Sequence, residues 1–275
     1  MFAQNPFALL NGVLPPSAMQ IFVALMVLAV IVGTLLDMAH KGSAQYFFAK
    51  SRKTRGQGQP VDTASIAVKT VVVDVLASGE FCNPRRRVAH LLTMYGFILY
   101  LVTTALMVFV YPTAATPAPA AVPALWWLGG LMVMLGGYWF WFFIRVDVAA
   151  EGQSPLRLMR ADLFILSLLA SVTLGLLWAW LQAQGSAAAW VFFGLYLAAT
   201  VVLFGGVYWS KFAHMFFKPA AAFEKRVSEA NGTNANLPTI SRDDPAQRER
   251  HSMELLKNAP MDMGLGIKRE APRHY

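Results

Sequence analysis

Apolar residues in this chain come in long unbroken runs, not in stripes. Five stretches, 19–36, 91–111, 125–144, 163–183 and 187–210, contain no Asp, Glu, Lys or Arg. At about 1.5 Å of rise per residue, each can cross a hydrocarbon core about 30 Å thick as a helix. With helical ends added they predict an all-α, polytopic membrane protein. It is a five-transmembrane-helix bundle with helices over about 19–39, 88–111, 125–146, 160–183 and 187–217. Residues 1–18 have no basic segment ahead of the first run, so they read as an external lead-in and not as a removable signal peptide.

The connections carry their own pattern. The loop 40–87 begins basic and extended; its second part places Ile66, Val68, Val71, Val72, Val75 and Leu76 on one face of an amphipathic helix over about 63–78. Thr63 or Ser65 starts that helix and Gly79 ends it. Pro84 suits the first turn of the next helix. The 112–124 connection holds four prolines and no charge, hence a stiff extended link. Gly129-Gly130 and Gly136-Gly137 lie seven positions apart on one face of the third helix, where another helix or a flat ligand can approach closely. From Ala220 the chain turns polar: EKRVSEANGTNANLPTISRDD reads as a linker and PAQRERHSMELLKNAP as a short helix, within a tail over 218–275. Such a tail suits docking to a soluble partner, and equally an idle extension.

Charge orients the bundle. Of 23 Lys and Arg, nine lie between His40 and Ala89, three (Arg145, Arg157, Arg160) between the third and fourth helices, and eleven from Lys211 on. The lead-in, the 112–124 connection and the 184–186 turn have none, so the positive-inside rule predicts N-out, C-in, with a cytoplasmic C-terminus at the cell's inner membrane. The net charge of +8 then reflects orientation and implies no nucleic-acid partner. Composition agrees with a lipid environment: 56% hydrophobic and 14% charged, against about a quarter charged in soluble domains. A lone cysteine, Cys82, excludes an internal disulfide and four-cysteine iron–sulfur ligation.

Candidate chemistry rests on three histidines. His40 closes the first helix, His90 opens the second and His214 closes the fifth, all at the cytoplasmic rim; His251 and His274 lie in the tail. Two imidazoles at one depth on different helices are what a six-coordinate haem b requires, and His90 with His214 fit as axial ligands through the haem iron. Gly96, Gly205 and Gly206 are candidates for porphyrin approach, and Arg85, Arg86, Arg87 and Lys211 for the propionates. A charge-ordered membrane interface gives the same placement with no cofactor, so both readings stand. Met215 is an alternative ligand or plain packing. For quinone and proton chemistry the candidates are Asp37 and His40, three apart on one helix face, then Asp147, Asp162 and Lys211. Each also reads as a solvated helix-end charge.

NPRRRVAHLLTMYGFILYLVTTALMVF and WSKFAHMFFKP resemble the second helix and the end of the fifth helix in the respiratory nitrate reductase gamma-subunit family of membrane cytochromes b, which includes heterodisulfide-reductase-like and quinone-interacting complexes. The resemblance spans about residues 15–225 and is strongest to the membrane anchors of adenylylsulfate (APS) reductase in sulfur oxidisers. It implies quinone-linked electron transfer, with His90 and His214 at the positions that serve the cytoplasmic-side haem. Where two-haem members have the other pair of histidines, this chain has Tyr100 and Tyr196. The expected role is an anchor and electron-transfer subunit, an oxidoreductase component without sulfur chemistry of its own. It links a soluble iron–sulfur and flavin enzyme, adenylylsulfate reductase, to quinone. A haem-free anchor is the alternative. A small-solute transporter is disfavoured by charge-free helices and by the lack of an internal repeat.

Overall fold

A computed structural model describes residues 2–41, 49, 51–52, 58–79, 81, 83–145, 156, 158–159, 162–210 and 214–234; at Lys41, His214 and Phe216 it describes the backbone alone. Among these residues every regular element is helical. Five helices are long and apolar enough to cross a membrane: Pro16–His40, Pro84–Val110, Ala121–Ile144, Leu163–Ala183 and Ala188–Tyr208. The elements are α1 (Pro16–Lys41), α2 (Thr63–Lys69, continued as a π-helix over Thr70–Leu76), α3 (Pro84–Ala105, with a π-helical end Leu106–Val110) and α4 (Ala121–Trp139, with a π-helical end Phe140–Ile144). They continue with α5 (Leu163–Ala183), α6 (Ala188–Gly205, tightening to a 3₁₀ turn Gly206–Tyr208) and α7 (His214–Ala230). The chain forms two units by its contacts. One is Met1–Ser43, Pro84–Trp141 and Leu158–Met215; the other is Ala44–Asn83, Phe142–Arg157 and Phe216–Tyr275.

In the first unit the glycine pairs of α4 are filled by helices. A Cβ at Gly129 would lie 2.8 Å from the Gly96 oxygen, and one at Gly136 would lie 2.6 Å from the Ala89 oxygen, so this half of the stripe faces the backbone of α3. Gly130 and Gly137 instead abut the side chains of Leu176 and Leu169 on α5. Small residues let the helices close to backbone contact, where dispersion and weak C–H···O contacts replace the hydrophobic drive that lipid removes. Between α5 and α6 a Ser171–Thr200 hydroxyl pair at 2.8 Å and the Trp178–Tyr196 stack do the joining.

The lead-in folds into the bundle. Its 3₁₀ helix Ala8–Gly12 follows Phe7, which is buried against both Trp126 and Trp178 at ring separations of 6.1 and 5.3 Å. The π-helical end of α3 leaves carbonyls without their usual partners, and polar side chains supply them. Asn5 Nδ2 donates to Met107 and Tyr111 oxygens at 3.2 and 2.7 Å, Asn11 Nδ2 to Pro112 at 2.8 Å and Gln20 Nε2 to Val108 at 3.2 Å.

The fifth apolar run differs from its expected 187–217 extent. It ends as a helix at Tyr208, where Trp209 and Ser210 amides both donate to the Gly206 oxygen; a separate helix opens at His214. The Gly205-Gly206 pair, poor in helix propensity, marks the break.

In the second unit α2 is capped by Asp62, whose carboxylate accepts from Ala64 and Ser65 amides at 3.0 and 3.2 Å. It ends in a left-handed Ser78 (φ 49) ahead of Gly79, whose absent Cβ leaves room for the Val73 oxygen. Helix α7 runs through Lys218-Pro219 and on to Ala230, taking in the first part, 224–230, of the segment expected to be linker. Its buried Ala222 and Val227 give one face an apolar contact, and Arg226 makes a bidentate pair with Asp74 of α2 at 2.5 and 2.8 Å. Ser51 to Glu224 at 2.8 Å and the Gln59 amide to the Asn231 oxygen at 3.1 Å add to it. The expected helix around 245–260 lies outside the described residues.

Candidate functional site

His90 lies on the second turn of α3, half-buried, one position past the fully buried Ala89. Seven residues along the same helical face, Phe97 is buried and stacks on Phe204 of α6 at 6.5 Å and 25°. The face of α3 that carries His90 is therefore the one that reaches α6, the helix whose continuation leads to His214. The His214 backbone begins α7; its side chain, and Lys211, lie outside the described residues, so only one member of the expected axial pair can be placed.

The remaining predicted residues divide. Arg85 and Arg86 are exposed and Arg87 half-buried; the Arg86 guanidinium sits 6.0 Å from the Phe140 ring, a cation–π distance. The expected porphyrin approach at Gly96 is taken by protein: a Cβ there would lie 2.7 Å from the Gly129 oxygen and from Met132 Cβ. This is a correction to the glycine reading. The physical reason is that a helix pair without side chains between its backbones closes until the backbones touch. Gly205 is exposed with nothing within 4 Å of an added Cβ, and Gly206 meets Leu163 at 3.4 Å. Met215 is exposed. Asp162 is buried, and its carboxylate accepts the Met159 amide at 2.9 Å, which makes it part of the turn into α5. Asp147 lies outside the described residues.

Asp37 and His40 do come together with a neighbour. Gly33 presses on Val207, whose Cβ would lie 3.0 Å from an added Cβ, and this brings the last turns of α1 onto the 3₁₀ turn of α6. Asp37 is 2% exposed there, while His40 is exposed and sets its ring edge-on to Tyr208 at 5.9 Å and 68°. A carboxyl group buried in a membrane-spanning helix is costly and is by default a functional candidate. Thr34, one turn deeper on the same face, was missed by sequence reasoning, because a helical threonine ordinarily bonds its own backbone.

At the lead-in end, Tyr100 and Tyr196 are buried in one aromatic cluster. Tyr100 stacks on Trp126 at 4.9 Å and 25°, and Tyr196 on Trp178 at 5.7 Å and 9°. Phe193 lies 4.9 Å from Trp178, and the Tyr100 hydroxyl sits where a Cβ on Gly175 would be, beside the Tyr196 ring. Trp126 Nε1 donates to Thr104 Oγ1 at 2.9 Å. The donor set here offers no imidazole, and packed rings occupy the space between the helices, so this end does not fit a haem. At the other end one imidazole, that of His90, is half-buried on the face of α3 turned towards α6.

Fold and composition define a polytopic helical membrane protein whose apolar surfaces contact lipid. Beyond that class, the chain matches no protein-family model, no curated protein and no solved structure.

Proposed function

We propose that the chain is a membrane anchor and electron-transfer subunit, linking a soluble cytoplasmic redox enzyme, adenylylsulfate reductase, to quinone through one b-type haem. The observation that carries this reading is the Phe97–Phe204 stack on the His90 face of α3, because it joins the helix that carries His90 to α6, the helix that precedes His214 in the chain. When bound, the haem supplies a one-electron relay. His90 and His214 would hold its iron, and Arg87 and Lys211 are placed by sequence to neutralise its propionates. Tyr100 and Tyr196, buried among Trp126, Trp178 and Phe193, exclude water and any second haem from the other end. The lysine and arginine distribution supports a cytoplasmic histidine end at the inner membrane, where the partner would dock.

The test is a reduced-minus-oxidised spectrum of the purified full-length protein beside His90→Ala and His214→Ala. A b-type alpha band in the wild type that both variants lose is expected. Pigment in both variants sinks the assignment. Colourless wild-type protein that still retains the partner enzyme establishes the second reading, a haem-free anchor. That reading is favoured by the tyrosines that replace one ligand pair.

A further inference from the structure

Helix α2 is amphipathic with its faces exchanged. A helix packed into a protein unit ordinarily turns its apolar stripe inward and its polar residues to water. In α2, Ile66, Thr70 and Asp74 follow one another at four-residue steps and make the face turned to protein. Ile66 is half-buried and Thr70 buried, its hydroxyl returned to the Ile66 oxygen at 2.8 Å, and Asp74 is bonded to Arg226 of α7. Val68 and Val72 sit two residues further on, about 200° round the helix, and Val71 flanks them. These valines are exposed, Val68 at 64% and Val72 at 52%, and Leu76 continues their line. The side that meets protein thus holds a hydroxyl and a carboxylate, and the opposite side presents a strip of branched aliphatic residues. Such a strip is costly in water.

Three observations name the occupant. The loop that holds α2 runs from one spanning helix, ending at Lys41, to the next, starting at Pro84. Only residues 77–83 separate Leu76 from Pro84, so the chain keeps the two within about 28 Å even when fully extended. The segment 41–87 carries nine Lys and Arg against three acidic residues, Asp62, Asp74 and Glu80, and the exposed Lys69 borders the strip. That charge suits anionic headgroups, and a lysine stem can lie along the apolar boundary with its ammonium in the headgroup layer. Lastly, the strip has no aromatic residue, methionine or arginine, the types that protein interfaces favour. We infer that α2 is an interfacial helix whose Val68, Val71 and Val72 strip inserts into the headgroup boundary of an anionic bilayer. Through the Asp74–Arg226 pair it also holds α7, where the C-terminal segment starts, to that surface. The inference requires neither haem nor quinone.

The test uses full-length Cys82→Ser protein carrying a nitroxide at Val68→Cys or Val72→Cys. It is placed in nanodiscs of phosphatidylcholine with phosphatidylglycerol. Power-saturation EPR compares collisions with oxygen, which concentrates in lipid, and with a water-soluble nickel chelate; spin-labelled lipids calibrate the depth. Both positions are exposed, so the labels leave the face towards α7 untouched. Both labels are expected below the headgroups, rich in oxygen collisions and shielded from nickel. Adding Val68→Asp and Val71→Asp to the Val72→Cys protein removes two valines from the strip. The helix is then expected to shift towards water roughly a hundredfold, about tenfold for each valine, and the label to become open to nickel. Labels with water-like collisions in the parent proteins overturn the interfacial helix. Labels shielded from both reagents overturn it too, because a protein partner or a second copy then covers the strip. A label that stays at depth in the double-aspartate variant overturns the strip as the source of binding. Equal depth in discs of phosphatidylcholine alone overturns the preference for anionic lipid and keeps the apolar insertion.

Discussion

Replacing Asp74 by Asn tests how the second unit is held together. Arg226 donates two hydrogen bonds to the Asp74 carboxylate, and the two side chains are 23% and 11% exposed. That places the pair between exposed ion pairs, worth about 0–1 kcal/mol, and buried ones, whose disruption costs about 3–5 kcal/mol. Asn keeps one acceptor and loses the charge, so a loss of about 1–2 kcal/mol is expected. Opening of α2 from α7 then becomes about 5- to 30-fold more frequent, read as faster hydrogen exchange over 66–76 and 222–230. The same clamp predicts a pH dependence. The hydrogen bond from Arg226 holds the Asp74 carboxyl below its ordinary value of 3.8. A carboxyl depressed in the folded state stabilises it above the unfolded pKa, and that stabilisation fades as pH falls through the folded value. Wild-type exchange in this region, corrected for its intrinsic pH dependence, should be constant from about pH 7 to 5 and converge on that of Asp74→Asn below about pH 4. Equal protection in the two proteins at neutral pH refutes the clamp.

Other consequences follow from the packing of the membrane unit. Gly129→Val would drive a Cβ to within 2.8 Å of the α3 backbone, which cannot move as a side chain tip can; a loss of about 2 kcal/mol or more and a lower Tm in detergent are expected, whereas Gly205→Ala, with open space, should leave Tm unchanged or raised. Phe7→Ala removes the ring between Trp126 and Trp178 at a cost of about 3 kcal/mol, and acrylamide should then quench tryptophan fluorescence more strongly. Asn5→Ala leaves the Met107 and Tyr111 carbonyls without a donor, a loss of about 1–2 kcal/mol measurable in the same melting assay.

The spanning helices were legible because a run such as 163–183, free of charge over its whole length, has one stable form in lipid. The Gly129 and Gly136 stripe was legible as a close contact, yet its occupant was not: a glycine face is equally smooth to a helix and to a flat ring, and only the position of Ala89 and Gly96 opposite decides. The lead-in was hidden for a different reason. Asn5, Asn11 and Gln20 look like ordinary loop polarity until the π-helical end of α3 displaces the carbonyls that they satisfy. Helix α7 was obscured because EKRVSEANG is polar residue by residue; what makes it helical is the Ala222 and Val227 contact and a partner 152 positions away, Asp74. Of the candidate site, Asp37 and His40 were readable from their spacing, and Thr34 was not, since nothing in a sequence says which threonine fails to bond its own helix.

These contrasts make the bundle chemically polar from end to end. One end is closed by stacked indole and phenol rings and by a lead-in that inserts Phe7 between two of them, with side-chain amides spent on backbone carbonyls. Tyr100 and Tyr196 cannot turn out of that cluster without leaving a void in it, so a ligand at this end would have to displace packed rings and forfeit their contacts. The other end keeps the buried carboxyl, the exposed imidazole, the unsatisfied hydroxyl and the His90 face of α3. Under the proposed function, electrons and protons would both enter at that end, and quinol formation would then move no net charge across the bilayer. Reconstituted vesicles turning over with a voltage-sensitive dye should therefore develop no membrane potential, whereas a potential of either sign would require a proton route through the aromatic end.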